Sequence, residues 1–170
     1  MTRGRLMTLT NKCAAAAVLL TVAVVQPCKT FGQSAHDAIG TWVFVSSINE
    51  QNGRKTETYG PGASGVMVLD STGRYSIAII AAGLPKFVSD SRTTATADEA
   101  KAVVARSNAH FGLYSVNPED KTITFQHREG YVSELERDRR SITIKGDELQ
   151  YAVTASSAGG SSIVTWKRAK

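Results

Sequence analysis

Cysteine is nearly absent from this 170-residue chain, which contains only Cys13 and Cys28. Both lie in the first 32 residues, so the rest of the chain has no thiol for a disulfide, a thiolate metal site or a cysteine nucleophile. The three histidines, His36, His110 and His127, lack the spacing of a metal site. No serine lies in a Gly-x-Ser-x-Gly motif, and no phosphate-binding glycine loop is present. The sequence therefore indicates no catalytic residue, metal or cofactor, and favours a binding protein over an enzyme.

Long apolar runs are also scarce. The one clear run, residues 13–25, is too short to span a bilayer comfortably and follows a segment that contains Arg3, Arg5 and Lys12. This pattern is typical of a secretory signal peptide. We expect residues 1–32 to be removed and the mature protein to be secreted or periplasmic, without a membrane span. The alternatives are an uncleaved helical anchor and a lipid anchor on Cys28, although Pro27 fits poorly where a lipid anchor needs a small residue.

Charge of one sign is not in excess once that segment is set aside. Four of the 20 lysines and arginines and none of the 15 acidic residues lie in residues 1–32, which leaves 16 basic against 15 acidic residues. Binding to nucleic acid needs a basic stripe that neutralises phosphates. A nearly neutral chain argues against nucleic acid as a partner. About 138 residues remain, enough for one domain with its own core.

The remaining chain consists of short β-prone runs separated by turn residues such as Asn52-Gly53. About eight such runs in succession predict an all-β fold, a single antiparallel up-and-down β-barrel over residues 36–170. The predicted strands are residues 41–49, 65–70, 74–82, 111–116, 121–128, 137–145, 148–155 and 161–168.

One segment departs from this pattern. Thr96 and Glu99 form a capping box, and Ala100, Val103 and Val104 then follow at helical spacing. We predict one short helix over residues 97–109. It serves either as a connector packed on the barrel or, with the loop of residues 83–87, as a lid, and the connector is favoured.

The two ends of the domain carry residues that could meet. Trp42 begins the first strand after Gly40, and alternation places Arg168 on one face of the last strand with Val164 and Trp166. In a closed barrel the first and last strands pair, so Arg168 could lie over the Trp42 indole as a cation–π contact. The alternative is an ordinary core tryptophan and an exposed terminal arginine, and spacing alone does not separate the two.

Five stretches taken together resemble the lipocalin-like domain family of bacteria and fungi. The resemblance implies a small calyx barrel, often exported and mostly without an assigned reaction, closed by Gly40, Trp42 and Arg168. Residues 131–136 depart from the family, whose members tend to carry a longer loop there. The stretches are Ile39-Gly40-Thr41-Trp42, residues 72–76 (TGRYS), residues 110–116 (HFGLYSV), residues 127–130 (HREG) and residues 164–168 (VTWKR).

Alternation also identifies a possible ligand site inside the barrel. On the fifth run, Phe125 and His127 share a face with Ile123, and on the next run Arg140 is in phase with Ile142. An inward histidine and arginine could hold the carboxylate of a mostly apolar ligand. The alternative is a hydrogen-bonded histidine and an arginine that reaches solvent, with residues 134–140 as a solvated, mixed-charge segment. Three tyrosines either line the interior or fill it: Tyr75, Tyr114 and Tyr151.

Three functions remain open. The leading hypothesis is an exported monomer that binds a small, mostly hydrophobic molecule in its interior. The second is a cyclase or isomerase on the same barrel, since a water-poor cavity can steer a reactive substrate without a nucleophile. The third is a structural domain whose core is filled by its own side chains.

Overall fold

The computed structural model describes residues 35–130, 138–156 and 159–170, including every side chain in these ranges except those of residues 127–130. The predicted signal peptide, residues 1–32, and the segment at 131–136 lie outside the described residues. Among the described residues, no helix is both long and apolar enough to cross a membrane.

Two helices and nine strands form within the described ranges. All neighbouring strands are antiparallel, and they follow one another in chain order except that β1 lies between β2 and β3. The elements are α1 (Ala35–Ala38), β1 (Gly40–Gln51), β2 (Arg54–Glu57), β3 (Ser64–Leu69), β4 (Arg74–Ile80), α2 (Ala97–Ala105), β5 (Ser107–Asn117), β6 (Thr122–Gly130), β7 (Asp138–Lys145), β8 (Glu148–Val153) and β9 (Ser161–Arg168).

Pairing of β1 with β9 closes the sheet into a barrel of eight strands, with β2 as an additional strand on β1. The prediction of an all-β, up-and-down barrel is therefore confirmed, because each of the eight predicted runs overlaps one barrel strand. Closure gives each of these strands a partner on both sides, which removes the exposed edges of an open sheet. We call the end where β1 begins and β9 ends the α1 end.

Two local predictions were incomplete. β2 was not predicted, because all four of its residues are exposed and have no apolar alternation. The predicted helix begins at Ala97 with the expected capping box but ends at Ala105 rather than 109. It stops early because Ser107 and the two following residues pair with β4, where Ser107 lies opposite Ile80.

Alternation along the strands separates the interior from the surface. On β4, for example, Tyr75, Ile77 and Ile79 are buried while Ser76 is exposed. The core also includes large side chains that are almost completely buried, and burial of each contributes roughly 1.5–3 kcal/mol of hydrophobic stabilisation. These are Trp42, Met67, Leu69, Ile123, Phe125, Ile142, Leu149 and Trp166.

Candidate functional site

The barrel wall has a break on one side of β1. The ladder with β3 ends at the pair Val43–Val66, and the ladder with β2 begins at Ile48–Glu57. A cleft of about 240 Å³ lies at this break, and its lining includes Phe44, Ser46 and residues 59–63. On its other edge, where it pairs with β9, β1 has a bulge at the same position along the strand, between Phe44 and Ser46. The cleft reaches the barrel interior at Phe44, whose side chain is buried.

A continuous row of aromatic rings runs through the interior to this cleft. Successive ring centroids lie 4.7, 5.8, 6.4, 5.5 and 5.8 Å apart. All but one of these contacts are edge-to-face, an arrangement that aromatic pairs prefer. The row consists of Tyr75, Phe125, Tyr151, Trp166, Phe44 and Tyr59.

A buried arginine lies against the middle of this row. Arg140 is only 8% exposed, and its guanidinium carbon lies 5.0 Å from the Phe125 ring centroid and 4.7 Å from that of Tyr151. Its Nε donates to the Asp138 carboxylate at 2.7 Å, and Nη2 contacts the same oxygen. Burial alone would lower the pKa of Arg140, but the Tyr151 hydroxyl and Asp138 outweigh it and raise that pKa.

Asp138 corrects the expectation for this segment. Residues 134–140 were expected to be solvated, yet the Asp138 side chain is only 15% exposed and points toward Arg140. The carboxylate that the sequence assigned to a ligand is thus supplied by the protein itself. Sequence analysis could have identified Asp138, since it is two residues from Arg140 and therefore on the same face of β7.

The other polar groups of the row differ in the hydrogen bonds that they make. The Tyr75 hydroxyl shares a 3.0 Å hydrogen bond with Nδ1 of His110, and burial raises the pKa of Tyr75 well above its usual value. Burial likewise raises the pKa of Tyr151. By contrast, the indole N–H of Trp166 is fully buried and makes no well-aligned hydrogen bond to a described residue, although the Tyr151 hydroxyl lies near enough for this N–H to act to lower the pKa of Tyr151. An unsatisfied buried donor is unfavourable by about 1–3 kcal/mol.

The α1 end is sealed by a separate cluster. The guanidinium carbon of Arg168 lies 4.1 Å from the Trp42 ring centroid, and its nitrogens donate to the carbonyls of Ile39 and Asp37. The Trp42 indole N–H donates to Ala38 at 2.9 Å. Gly40 has φ +144°, and a Cβ there would lie 2.6 Å from Nη1 of Arg168. The Gly-x-Trp pattern is thereby explained: only glycine leaves room for the arginine that covers the indole.

The structure brings together four of the six predicted ligand residues: Tyr75, Phe125, Arg140 and Tyr151. Tyr114 lies opposite Phe125 in register and packs against the same core, but its hydroxyl is directed away and donates to the carbonyl of Asp70 at the β3–β4 turn. The sixth, His127, pairs in register with Gly112, but its side chain lies outside the described residues.

Five residues in or beside the aromatic row were not predicted as ligand-site residues: Phe44, Tyr59, His110, Asp138 and Trp166. His110 was considered only for metal spacing, and Trp166 only as a neighbour of Arg168. Alternation placed Trp166 on the same face as Val164 and Arg168, but nothing in a single sequence shows that its buried N–H makes no well-aligned hydrogen bond. Among the described residues, no group of histidine, cysteine and acidic side chains could hold a metal ion.

Comparison with known protein families identifies the family of this chain. A family model described as a lipocalin-like domain matches residues 39–169. No curated protein is significantly similar to the chain.

Proposed function

The chain belongs to the lipocalin-like domain family, and we propose that its barrel binds a small, mostly apolar molecule in the interior. The observation that carries this proposal is the buried indole N–H of Trp166, which makes no well-aligned hydrogen bond to a described residue even though the Tyr151 hydroxyl lies near it. It lies within a row of aromatic rings, where a flat apolar ligand gains both burial and ring contacts. A ligand carbonyl or ether oxygen would satisfy this donor.

The electrostatics favour a neutral ligand over the carboxylic acid expected from the sequence. Arg140 is already paired with Asp138, so an incoming carboxylate would have to compete with a carboxylate that the protein holds in place. It would also be repelled by Asp138 and lose its hydration. A neutral acceptor avoids both costs.

The cleft beside Phe44 supports access to this region from one side of the barrel. Its volume of about 240 Å³ is below the 300–1,000 Å³ of typical pockets for drug-sized ligands. Phe44 contacts both the cleft and Trp166, at a ring distance of 5.5 Å from the latter. We therefore infer a ligand of one or two rings that enters past Phe44.

The acceptor hypothesis predicts a selective effect of Trp166→Phe, which removes the N–H and keeps most of the ring. Binding of 1-indanone, a two-ring ketone, should weaken about five- to tenfold, since one neutral hydrogen bond contributes about 1 kcal/mol. Binding of indane, which lacks the carbonyl, should change little. Titration calorimetry on both proteins with both ligands measures this difference.

Trp42→Phe is the matched control, because the Trp42 N–H is already bonded to Ala38. It should leave both affinities unchanged while lowering stability. Equal losses for ketone and hydrocarbon, or no ketone binding by the parent protein, would rule out Trp166 as the ligand donor. Tighter binding of indane-2-carboxylate than of indanone would instead favour the acid originally expected.

We also propose that the protein is exported and that residues 1–32 are cleaved. The support is the basic segment and apolar run at the start of the sequence. Intact-mass analysis of the protein recovered from the host should give a chain that begins near Gln33 and contains no thiol. A full-length mass, or an acyl group on Cys28, would contradict this.

A further inference from the structure

The outer face of β1, β3, β4 and β5 is unusually apolar for a surface. Among the outward positions of residues 41–45, 64–68, 74–80 and 107–113, only Arg74 is charged, and it lies at the α1 end. Charged residues lie at the margins of this face, where Lys167 on β9 pairs with Val43 and Glu129 on β6 pairs with Phe111, and on the opposite half of the barrel, for example Arg139 and Glu148. Six large apolar residues of the four strands are each about half exposed: Val43 48%, Val45 54%, Val66 41%, Val68 36%, Ile80 50% and Phe111 51%.

Strand register makes this surface contiguous. One row across the four strands is Val43, Val66, Ala78 and Ala109, in which each residue lies directly opposite the next. The neighbouring row is Thr41, Val68, Ser76 and Phe111. Six half-exposed side chains of this size leave several hundred Å² of apolar surface, about the largest patch that a typical monomer exposes. We call this surface the apolar outer face.

We propose that the apolar outer face is the contact surface for a second copy of this chain. The absence of charge in its described centre favours a partner surface that is also uncharged, because a charged partner would lose hydration without gaining an ion pair. The face itself is such a surface. This inference does not depend on the ligand proposed above, and it replaces the monomer expected from the sequence.

The shape of the face is complementary to itself. Ala78 and Ala109 lie side by side and form a low step, whereas Phe111, two residues beyond Ala109 on β5, stands above it. We place a two-fold axis in the plane of the interface, perpendicular to the strands and midway between the two rows. Rotation about this axis brings Phe111 over the partner's Ala109. The same operation brings Val68 over the partner's Val66. Each contact occurs twice, as an isologous interface requires.

The size of the face sets the strength of the association. A stable interface buries about 800 Å² on each partner, and four strands of a convex barrel supply less than that. We therefore expect a reversible dimer with a Kd in the micromolar range, roughly 1–100 µM.

Sedimentation equilibrium of the protein as it is recovered from the host, across low to high micromolar concentrations, tests this inference. The parent protein should change from its monomer mass, measured by mass spectrometry, toward twice that mass as its concentration rises. Phe111→Asp should weaken dimerisation at least tenfold, because it places a charge over the partner's Ala109. Thr143→Asp adds the same charge to an exposed position on β7, on the other half of the barrel, and should have no effect.

Ala109→Leu distinguishes a specific dimer from non-specific hydrophobic association. It adds apolar surface but fills the step, so it should weaken the specific dimer, whereas non-specific association should become stronger. Circular dichroism of each variant confirms that the barrel is folded. A monomer at the highest concentration, a dimer insensitive to Phe111→Asp, or stronger association of Ala109→Leu would overturn the proposal. A monomer that sediments with phosphatidylcholine vesicles would identify a lipid surface as the occupant instead.

Discussion

Asp138→Ala is expected to lower the free energy of unfolding by about 3–5 kcal/mol, the usual effect of removing one partner of a buried ion pair. The loss is large because the Arg140 guanidinium remains buried among rings without its carboxylate. The stabilising contribution of the pair itself is much smaller, since burial of both charges offsets most of their attraction. Urea denaturation followed by tryptophan fluorescence measures the change.

The chain contains a matched control for this effect. Arg139 and Asp120 form an ion pair of the same residue types, but their side chains are 60% and 44% exposed. Asp120→Ala should therefore lower stability by only about 0–1 kcal/mol. The double variant Asp138→Leu with Arg140→Met removes both buried charges and should be close to the parent in stability. Similar losses for Asp138→Ala and Asp120→Ala would show that burial of the Arg140 pair does not govern its effect.

Gly40→Ala is expected to lower the free energy of unfolding by about 3 kcal/mol. The new methyl group meets Nη1 of Arg168 at 2.6 Å on a backbone with φ +144°, and such backbone strain costs about 1–3 kcal/mol. Displacement of the guanidinium also weakens its contact with Trp42 and its bonds to two carbonyls. Thermal and urea denaturation both report the loss.

Gly146→Ala distinguishes the steric clash with Arg168 from the strain of a positive φ alone. Gly146 also has positive φ, but a Cβ there would have no neighbour within 4 Å, so its loss should be only about 1 kcal/mol. Arg168→Ala should cost about 1–2 kcal/mol through the lost cation–π contact and hydrogen bonds. Adding Arg168→Ala to Gly40→Ala removes the collision, so the two losses should be less than additive. Strict additivity would mean that the two residues do not interact.

The barrel was predictable because its evidence is periodic and local. Alternation identified the eight barrel strands, and closure of a meander requires that β1 meet β9, which places Trp42 beside Arg168. β2 has no such periodicity and forms because β1 extends beyond its ladder with β3, which leaves residues 48–51 free to pair with it. The end of α2 depends on a competing ladder with β4 that helical spacing does not reveal.

The candidate site was less predictable than the fold. Alternation identified Arg140 as inward-facing, but the effect of that charge depends on whether a carboxylate is buried beside it. Alternation places Asp138 on the same face of β7 as Arg140, but only the three-dimensional packing shows that its carboxylate is buried against the guanidinium. The lack of a well-aligned hydrogen bond at the Trp166 N–H is likewise a property of the surroundings rather than of any motif.

The seal at the α1 end also determines when the protein can fold. Arg168 donates to Ile39 and Asp37 across sequence separations of 129 and 131 residues. During translation, β1 is the first of the eight barrel strands to emerge and its partner β9 is the last, so the barrel cannot close until β9 has emerged. Contacts so distant in sequence form slowly, typically in milliseconds to seconds for all-β domains. The apolar strands therefore remain accessible to chaperones until β9 is available, and closure of the barrel is a late step of folding.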